Sequence, residues 1–339
     1  MKLRRLTALL FFLCLLASCA PAEHAASFFA MDTVMSVTVY GEDGQAAAEA
    51  VEAAEAEIKT LDRLLSVTNG TSEIYAANHS GGKSVTVSDE TAALLSQALE
   101  LCGETGGALD VTIYPIVKAW GFTTGTYQVP SEDVLAGLVK QVDFTRLTLE
   151  GNTLTVPEGM ELVLGAVAKG YAADRAAEVL EARGVGCAKL ELGGNIHLVG
   201  SKPNGLPWNI VVRDPFGEGY MGVLETDGGA VVTSGGYERY FEQDGVTYWH
   251  IIDPSTGRPA HSGLVSVTIA AQSGTLADAL STALFVMGKE KAVAFWRARQ
   301  DFDFILIGED GTVTVTPGLD KRFTLSEAWA GHALEVVDG

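Results

Sequence analysis

A stretch in the last quarter of the chain carries two oxygen-bearing side chains at helical spacing. Residues 276–288, LADALSTALFVMG, have the composition of a buried helix and end on a glycine. Asp278 and Thr282 are four residues apart, a spacing that places Cβ atoms about 5–6 Å apart on one helix face. A carboxylate and a hydroxyl so placed can bind a hard cation such as Mg²⁺, which takes one or two carboxylates and leaves room for phosphate oxygens.

The same two side chains have a structural interpretation, and the spacing alone favours neither. Thr282 can donate a hydrogen bond to a carbonyl one turn back. Asp278 can stabilise the dipole of its own helix, whose N-terminus Ser273 or Thr275 is predicted to cap. Because a buried charge without its cation is costly, a metal-binding Asp278 predicts that alanine at this position costs little stability.

A second stretch, residues 163–180, predicts a strand end that runs into a helix. Its sequence is VLGAVAKGYAADRAAEVL, and Lys169 lies in the first helical turn. Unpaired backbone N–H groups at a helix start, together with a lysine, suit an anionic ligand such as a phosphate. The carbonyl of Ala166 could face a cation at the same junction. The alternative is an ordinary turn with a solvated lysine.

Two further stretches place polar groups beside tight turns. In residues 106–122, GGALDVTIYPIVKAWGF, a glycine pair allows a sharp turn and Asp110 follows in an apolar setting. Asp110 could accept hydrogen bonds from a ligand or cap the turn. In residues 249–260, WHIIDPSTGRPA, His250 leads into a polar turn, where an imidazole is a candidate general base. A lone histidine is more often structural.

Composition and charge restrict the class of protein. The 339 residues suffice for one large or two modest domains, and 47% hydrophobic with 19% charged residues is typical of globular proteins. The net charge of −20 argues against nucleic-acid binding, which needs clustered Lys and Arg. Cys102 and Cys187 are predicted to be small buried hydrophobes, and their spacing leaves a disulfide between them open.

The first 19 residues predict a bacterial lipoprotein signal peptide. A basic MKLRR precedes the apolar LTALLFFLCLLA, which is short for a membrane span. It ends in Leu-Ala-Ser-Cys, which resembles a lipobox, so Cys19 is predicted to be lipidated and to become the mature N-terminus. The protein is then expected to face the extracytoplasmic side, held at the membrane by its lipid alone. An ordinary signal peptide with an incidental cysteine is the alternative.

The remaining chain predicts a tether over residues 20–28 and one α+β domain over residues 29–339. Residues 31–41 alternate as a first strand, and residues 162–164 predict a short one. Ser88 is predicted to cap a helix, and the residue pair 151–152, Gly-Asn, to form a hairpin turn. Strands follow one another in antiparallel-like runs with helices between them, which favours α+β over a doubly wound sheet.

Taken in order, these stretches resemble the ApbE family of FAD:protein FMN transferases. The motifs that carry the resemblance span about residues 30–288 and read MDTVMSVTV, GALDVTIYPIVKAWGF, GAVAKGYAAD, LGGNI, TSGGYERYF, HIIDPSTGRP and DALSTALFVMG. The resemblance implies a T-fold-type architecture of mostly antiparallel sheets with packed helices. It also implies a reaction in which FAD is split at its pyrophosphate, FMN is transferred to a Ser or Thr hydroxyl of an acceptor protein, and AMP is released.

The resemblance further implies roles for individual residues. Asp278, Thr282 and the Ala166 carbonyl are expected to hold Mg²⁺, with Asp278 and His250 as the catalytic residues. His250 is the expected base for the acceptor hydroxyl. The expected FAD contacts are Met31, Ala108, Leu109, Asp110, Lys169, His250 and Ile252.

Three positions depart from the family pattern, and the partner is implied only by class. Val163 stands where an acid is frequent and Gly236 stands where Asp is common, which puts polar contacts to FAD in doubt. Asn195 also stands where Asp is common, a change expected to have little effect. The implied acceptors are redox subunits of Nqr-type sodium-pumping NADH:quinone oxidoreductase or Rnf complexes, or small FMN-binding-domain proteins. The alternatives are a lipoprotein that only binds FAD, an FAD pyrophosphate hydrolase, and a solute-binding transport lipoprotein.

Overall fold

The computed structural model describes residues 22–41 and 43–338, so the predicted signal peptide and Cys19 lie outside the described residues. The helices are α1 Gly44–Leu65, α2 Glu73–Asn78, α3 Asp89–Glu104, α4 Tyr114–Ala119, α5 Glu132–Val139, α6 Ala168–Glu181, α7 Gly274–Met287 and α8 Lys289–Arg299. Short 3₁₀ helices cover Phe144–Arg146 and Glu327–Trp329.

The strands lie mostly in the second half of the chain. They are β1 Ala22–Ala30, β2 Thr33–Gly41, β3 Val85–Thr86, β4 Thr148–Glu150, β5 Thr153–Thr155, β6 Ala188–Leu192, β7 Asn195–Val199, β8 Trp208–Arg213, β9 Tyr220–Thr226, β10 Gly229–Gly235, β11 Tyr240–Gln243, β12 Val246–Trp249, β13 Ile252–Asp253, β14 Arg258–Pro259, β15 Leu264–Ala271, β16 Phe302–Gly308, β17 Val313–Val315, β18 Phe323–Leu325 and β19 Leu334–Val336.

A central sheet organises the molecule. Within the described residues it has nine strands in the order β1-β2-β6-β7-β10-β15-β16-β17-β19. Every neighbouring pair is antiparallel except β17 with β19. This topology confirms the α+β prediction, because a doubly wound fold needs parallel neighbours joined by crossover helices.

Helices cover one face of this sheet, and a smaller sheet covers the other. On the helical side, Ile58 of α1 and Ala172 of α6 share a buried cluster with Val37 of β2. On the opposite side, Ile210 of β8 and Leu224 of β9 pack with residues of β16 and β17. No helix in residues 22–41 or 43–338 is long and apolar enough to cross a bilayer.

Two glycines allow helices α6 and α7 to cross at backbone contact. A Cβ atom on Gly170 would lie 2.1 Å from the carbonyl oxygen of Gly274, and one on Gly274 would lie 2.6 Å from that of Gly170. Only glycine permits this approach. The crossing therefore brings together the starts of both helices, which carry Lys169 and Asp278.

Three sequence predictions, two near the N-terminus and one in mid-chain, are wrong. Residues 22–28 are part of β1 rather than a tether, because β1 pairs with β2 along its whole length and buries Phe28 and Ala30. The predicted first strand over residues 31–41 is the second arm of that hairpin, and it starts only at Thr33. Residues 162–164 lie outside the named strands, and Val163 only donates its N–H to Val111.

Other local predictions are confirmed. The hydroxyl of Ser88 accepts a hydrogen bond from the N–H of Thr91 and so caps α3. Strands β4 and β5 form the predicted hairpin around residues 151–152. Cys102 and Cys187 are buried and free, and burial raises the pKa of the Cys102 thiol to about 12.

Candidate active site

One cavity brings together all the residues predicted to contact FAD or Mg²⁺. Its volume is about 560 Å³, within the range typical of ligand sites. Its walls include the turn after β1, the segment before α4, the first turn of α6, the residues flanking the β11–β12 hairpin, and α7. The predicted residues that line it are Met31, Ala108, Leu109, Asp110, Ala166, Lys169, His250, Ile252, Asp278 and Thr282.

Asp278 lies at the helix crossing with only 3% of its surface exposed. Its Oδ2 accepts a hydrogen bond of 2.9 Å from the N–H of Gly170. This N–H lies in the first turn of α6, where backbone donors have no partner within their own helix. Its Oδ1 lies 3.7 Å from Nζ of Lys169. The carboxylate thus stabilises another helix as well as facing the cavity. This contact contradicts the expectation that alanine at position 278 costs little stability, since it would leave a buried donor without its partner.

Asp174 makes the corresponding contacts in the opposite direction. Asp174 lies on α6, and its carboxylate accepts hydrogen bonds from the N–H groups of Gly274 and Thr275 at the start of α7. It also accepts hydrogen bonds from the hydroxyls of Ser273 and Thr275. Burial alone would raise the pKa of Asp174, but the nearby His197 and these N–H groups hold it below its usual value. The carboxylate therefore stays ionised and fixes the N-terminus of the helix that carries Asp278.

The remaining predicted Mg²⁺ ligands supply neutral oxygen atoms. The hydroxyl of Thr282 lies 3.5 Å from that of Ser234 on β10. The carbonyl of Ala166 is free of backbone donors from the described residues, because the N–H of Gly170 bonds to Asp278 instead. Carboxylate, hydroxyl and carbonyl oxygens are the donors that Mg²⁺ prefers, so these residues fit that ion.

Phosphate oxygens from a substrate would have to complete such a site. Among the described residues, His, Cys, Asp and Glu form no group of three or more that could hold a metal. A single carboxylate with neutral oxygens is typical of Mg²⁺ that is shared with a phosphate ligand. The nearby Lys169 offers a positive charge to the same ligand.

His250 has the hydrogen bonding of a neutral base. Its Nδ1 lies 3.2 Å from the backbone carbonyl of Arg239, and a carbonyl can only accept, so Nδ1 carries the proton. Nε2 is then the unprotonated nitrogen. Burial first, and then the positive charges of Arg239 and Lys169, lower the pKa of His250 to about 4. The imidazole is therefore neutral at pH 7 and able to take up a proton.

Asp110 lines the cavity, but its carboxylate accepts hydrogen bonds from other residues of the protein. Oδ1 accepts from the N–H and hydroxyl of Thr112, and Oδ2 accepts from the N–H of Phe144. Burial raises the pKa of Asp110, and the hydrogen bonds from Thr112 offset part of this effect. The contacts favour the turn-capping alternative, and direct contact with FAD stays a prediction.

The turn that carries Met31 is strained at the cavity edge. Met31 and Asp32 have φ values of 47° and 60°, in the left-handed region that non-glycine residues seldom adopt. The N–H of Met31 donates to Oδ1 of Asp62 on α1 at 3.0 Å, which holds the turn in place. Backbone strain of this kind is often found at binding sites.

Several cavity residues were missed from the sequence. Arg239 adds a second positive charge, and the hydroxyl of Ser234 lies between those of Ser281 at 2.7 Å and Thr282 at 3.5 Å. Asn195 was named from the sequence only as a departure from the family pattern. It lines the cavity with Nδ2 buried and without a partner in the described residues, so the site has a donor that a bound ligand can satisfy. The sequence signal for Asn195 was its position directly after the glycine pair of LGGNI, whose turn places it at the wall.

The two other departures have different structural consequences. Val163 lines the cavity, so its apolar side chain replaces a polar wall at that point. Gly236 faces the indole of Trp249, and a Cβ atom there would lie 3.0 Å from ring atoms. A larger side chain at position 236 would therefore have to displace the indole.

Comparison with solved structures places this fold in the flavin transferase class. The crystal structure of the ApbE protein from Thermotoga maritima superimposes with a TM-score of 0.81 at 34% identity, over 86% of this chain and 96% of that one. A sequence model described as the ApbE family matches residues 31–306. The chain belongs to the ApbE family.

Relatives of known activity are similar over most of their length. The FAD:protein FMN transferase of Treponema pallidum (strain Nichols) is 36% identical over 96% of each chain. The FAD:protein FMN transferase of Vibrio cholerae (classical strain O395) is 38% identical over 72% of this chain and 78% of its own.

Proposed function

We propose that this protein transfers FMN from FAD to a Ser or Thr hydroxyl of an acceptor protein and releases AMP. The observation that carries the proposal is the assembly of Lys169, His250 and Asp278 around one cavity. Relatives 36% and 38% identical are FAD:protein FMN transferases, which supports the same activity here.

The positive side chains of the cavity bind and orient the pyrophosphate. Lys169 and Arg239 both line the cavity, and their charges attract the phosphate oxygens of FAD. Asn195 can donate its unpartnered N–H group to the same ligand. Asp278, Thr282 and the Ala166 carbonyl would hold Mg²⁺. When bound, Mg²⁺ draws charge from the phosphoryl oxygens and makes AMP a better leaving group.

The proton of the acceptor hydroxyl passes to His250. Nε2 removes it as the hydroxyl oxygen attacks the FMN phosphorus and forms the new phosphoester bond. The bond between that phosphorus and the bridging oxygen breaks, and AMP departs with the oxygen and its negative charge. The hydrogen bond from Nδ1 to the Arg239 carbonyl keeps the imidazole oriented during this transfer.

We also propose that Cys19 is lipidated and that the protein acts on the extracytoplasmic face of a bacterial membrane. The support is the short apolar segment ending in Leu-Ala-Ser-Cys. The acceptors of this protein would be Rnf- or Nqr-type subunits or FMN-binding-domain proteins. In cells, Cys19→Ala should move the protein out of the membrane fraction. An unchanged membrane fraction would count against the lipobox.

Intact-mass measurement tests the proposed reaction. Incubation with FAD, Mg²⁺ and a purified FMN-binding-domain protein should add the mass of FMN less water to the acceptor, with one AMP released per acceptor modified. The same acceptor with its target threonine replaced by valine should keep its mass. Free FMN without acceptor modification would favour the hydrolase, and FAD bound without AMP release would favour a binding protein.

A further inference from the structure

A row of aromatic side chains runs from the cavity to the surface beside His250. The β11–β12 hairpin is flanked by Arg239 and His250, and both line the cavity. The ring of Phe122 lies 6.3 Å from that of His250 and 5.9 Å from that of Phe241. Tyr127 stacks on Phe241 with ring centroids 5.1 Å apart. Contiguous rings therefore connect the candidate base to the outside of the protein.

The outer end of this row is exposed and apolar. Tyr127 and Val246 are 44% and 46% exposed. Val246 pairs with Gln243, so it lies on the same face of the hairpin as Phe241. Among the described residues β11 and β12 pair only with each other. Their outer edges thus keep backbone groups that an extended segment of another protein can use.

We propose that Tyr127, Phe241 and Val246, together called the acceptor face, dock the segment of the acceptor protein that carries the modified hydroxyl. The proposal rests on the FMN transfer proposed above. In that reaction the hydroxyl must reach His250 while FAD fills the cavity, so the acceptor has to lie against the surface beside this residue. The acceptor face is apolar, and the ring contacts through Phe122 connect it to His250. The matching partner is an extended segment with apolar side chains on either side of its Ser or Thr.

Transfer kinetics with the full mature chain test this docking surface. The probe is a purified FMN-binding-domain protein, and the variants are Tyr127→Ser and Val246→Ser, alone and together. The double variant should raise KM for the acceptor about tenfold or more, the effect of losing a few apolar interface contacts. Its kcat at saturating acceptor and its affinity for FAD, measured by calorimetry, should stay within about twofold of wild type, since neither residue contacts the reacting atoms.

Two matched variants provide the controls. Tyr240 is 49% exposed on the opposite face of the same hairpin, and Tyr220 is 47% exposed on β9. Tyr240→Ser and Tyr220→Ser should leave KM for the acceptor unchanged. A double variant with the wild-type KM would overturn the docking proposal, as would an equal rise in KM for Tyr240→Ser.

A binding measurement separates this proposal from the proposed function. The acceptor with valine in place of its target threonine can dock without reacting, so calorimetry gives its Kd directly. If wild-type protein binds the valine-substituted acceptor but transfers no FMN to the acceptor that keeps its threonine, only the proposed transfer reaction is contradicted. Equal Kd values for wild type and the double variant would contradict the acceptor face, whatever the transfer assay gives.

Discussion

Asp174 and Asp278 cap each other's helices. Asp174 lies on α6 and accepts hydrogen bonds from the start of α7, whereas Asp278 lies on α7 and accepts one from the start of α6. Each carboxylate meets the positive end of the other helix dipole. The position of the candidate metal ligand is therefore fixed by a partner that itself lies outside the cavity lining.

Asp174→Ala should lower stability and also weaken the response to Mg²⁺. Loss of its carboxylate leaves several donors of α7 unpaired, at a cost of about 1–3 kcal/mol in the free energy of unfolding. The freed helix start should raise the Mg²⁺ concentration needed for half-maximal transfer. Chemical denaturation and a Mg²⁺ titration measure the two effects.

The control for Asp174 is another helix cap. Asp43 caps α1 by the same kind of contact at an exposed site, so Asp43→Ala should cost about 1 kcal/mol without changing the Mg²⁺ response. An unchanged Mg²⁺ response in Asp174→Ala would contradict the positioning role.

The pKa of Asp174 is lower in the folded protein than in the unfolded chain. Its ionised form therefore stabilises the protein at pH values above the unfolded-state pKa, and this stabilisation is lost as the pH falls through the folded-state pKa.

Gly170→Ala should separate the two helices. The added methyl group would lie 2.1 Å from the carbonyl oxygen of Gly274 and 2.7 Å from Cβ of Asp278, so the backbones must move apart. We expect a loss of about 1–3 kcal/mol in the free energy of unfolding, together with weaker FAD binding. Gly103→Ala in α3 is the matched control, because no atom lies within 4 Å of its Cβ position. It should be neutral or stabilise by about 0.5–1 kcal/mol.

His250→Gln should abolish most of the transfer while leaving FAD bound. Removal of a general base typically costs about 10²–10⁴ in rate. The imidazole of the FAD-free protein should titrate near pH 4 in an NMR experiment, assigned by the signal that His250→Gln lacks. A titration near the usual histidine value, or wild-type transfer by His250→Gln, would be inconsistent with the neutral base.

The lowered pKa of His250 also predicts a pH dependence of stability. Between the unfolded value of 6.5 and about 4, the unfolded chain binds a proton that the folded protein does not. Wild-type stability should therefore fall as the pH is lowered through this window, and it should fall less steeply in His250→Gln. Thermal unfolding of both proteins across the window measures the difference.

Helix caps and turns that depend on neighbouring residues could be predicted from the sequence, whereas structure that depends on contacts between distant residues could not. Ser88 and the pair at residues 151–152 act within a few residues, so the helix cap and hairpin could be predicted. The turn at Met31 lacks the usual glycine, and its conformation depends on a contact with Asp62. The β1–β2 hairpin therefore could not be predicted.

The candidate site shows the same division between local and distant information. The spacing of Asp278 and Thr282 placed both on one helix face, and the cavity contains both. The structural contact of Asp278 was invisible, because Gly170 lies 108 residues away in sequence. Arg239 was missed for a similar reason, since only the folded hairpin brings it beside His250.

The Mg²⁺ dependence of FMN transfer by Asp278→Asn decides whether the Asp278 carboxylate holds the cation used in the reaction. Asparagine keeps an oxygen that can accept from Gly170, so the protein should fold, but it removes the charge that holds the cation. With FAD and an FMN-binding-domain acceptor, wild type should release AMP and modify the acceptor one for one. Asp278→Asn should be nearly inactive at ordinary Mg²⁺ and recover partly at high Mg²⁺. Transfer by Asp278→Asn at the wild-type rate and Mg²⁺ concentration would show that Asp278 is not a metal ligand in the reaction.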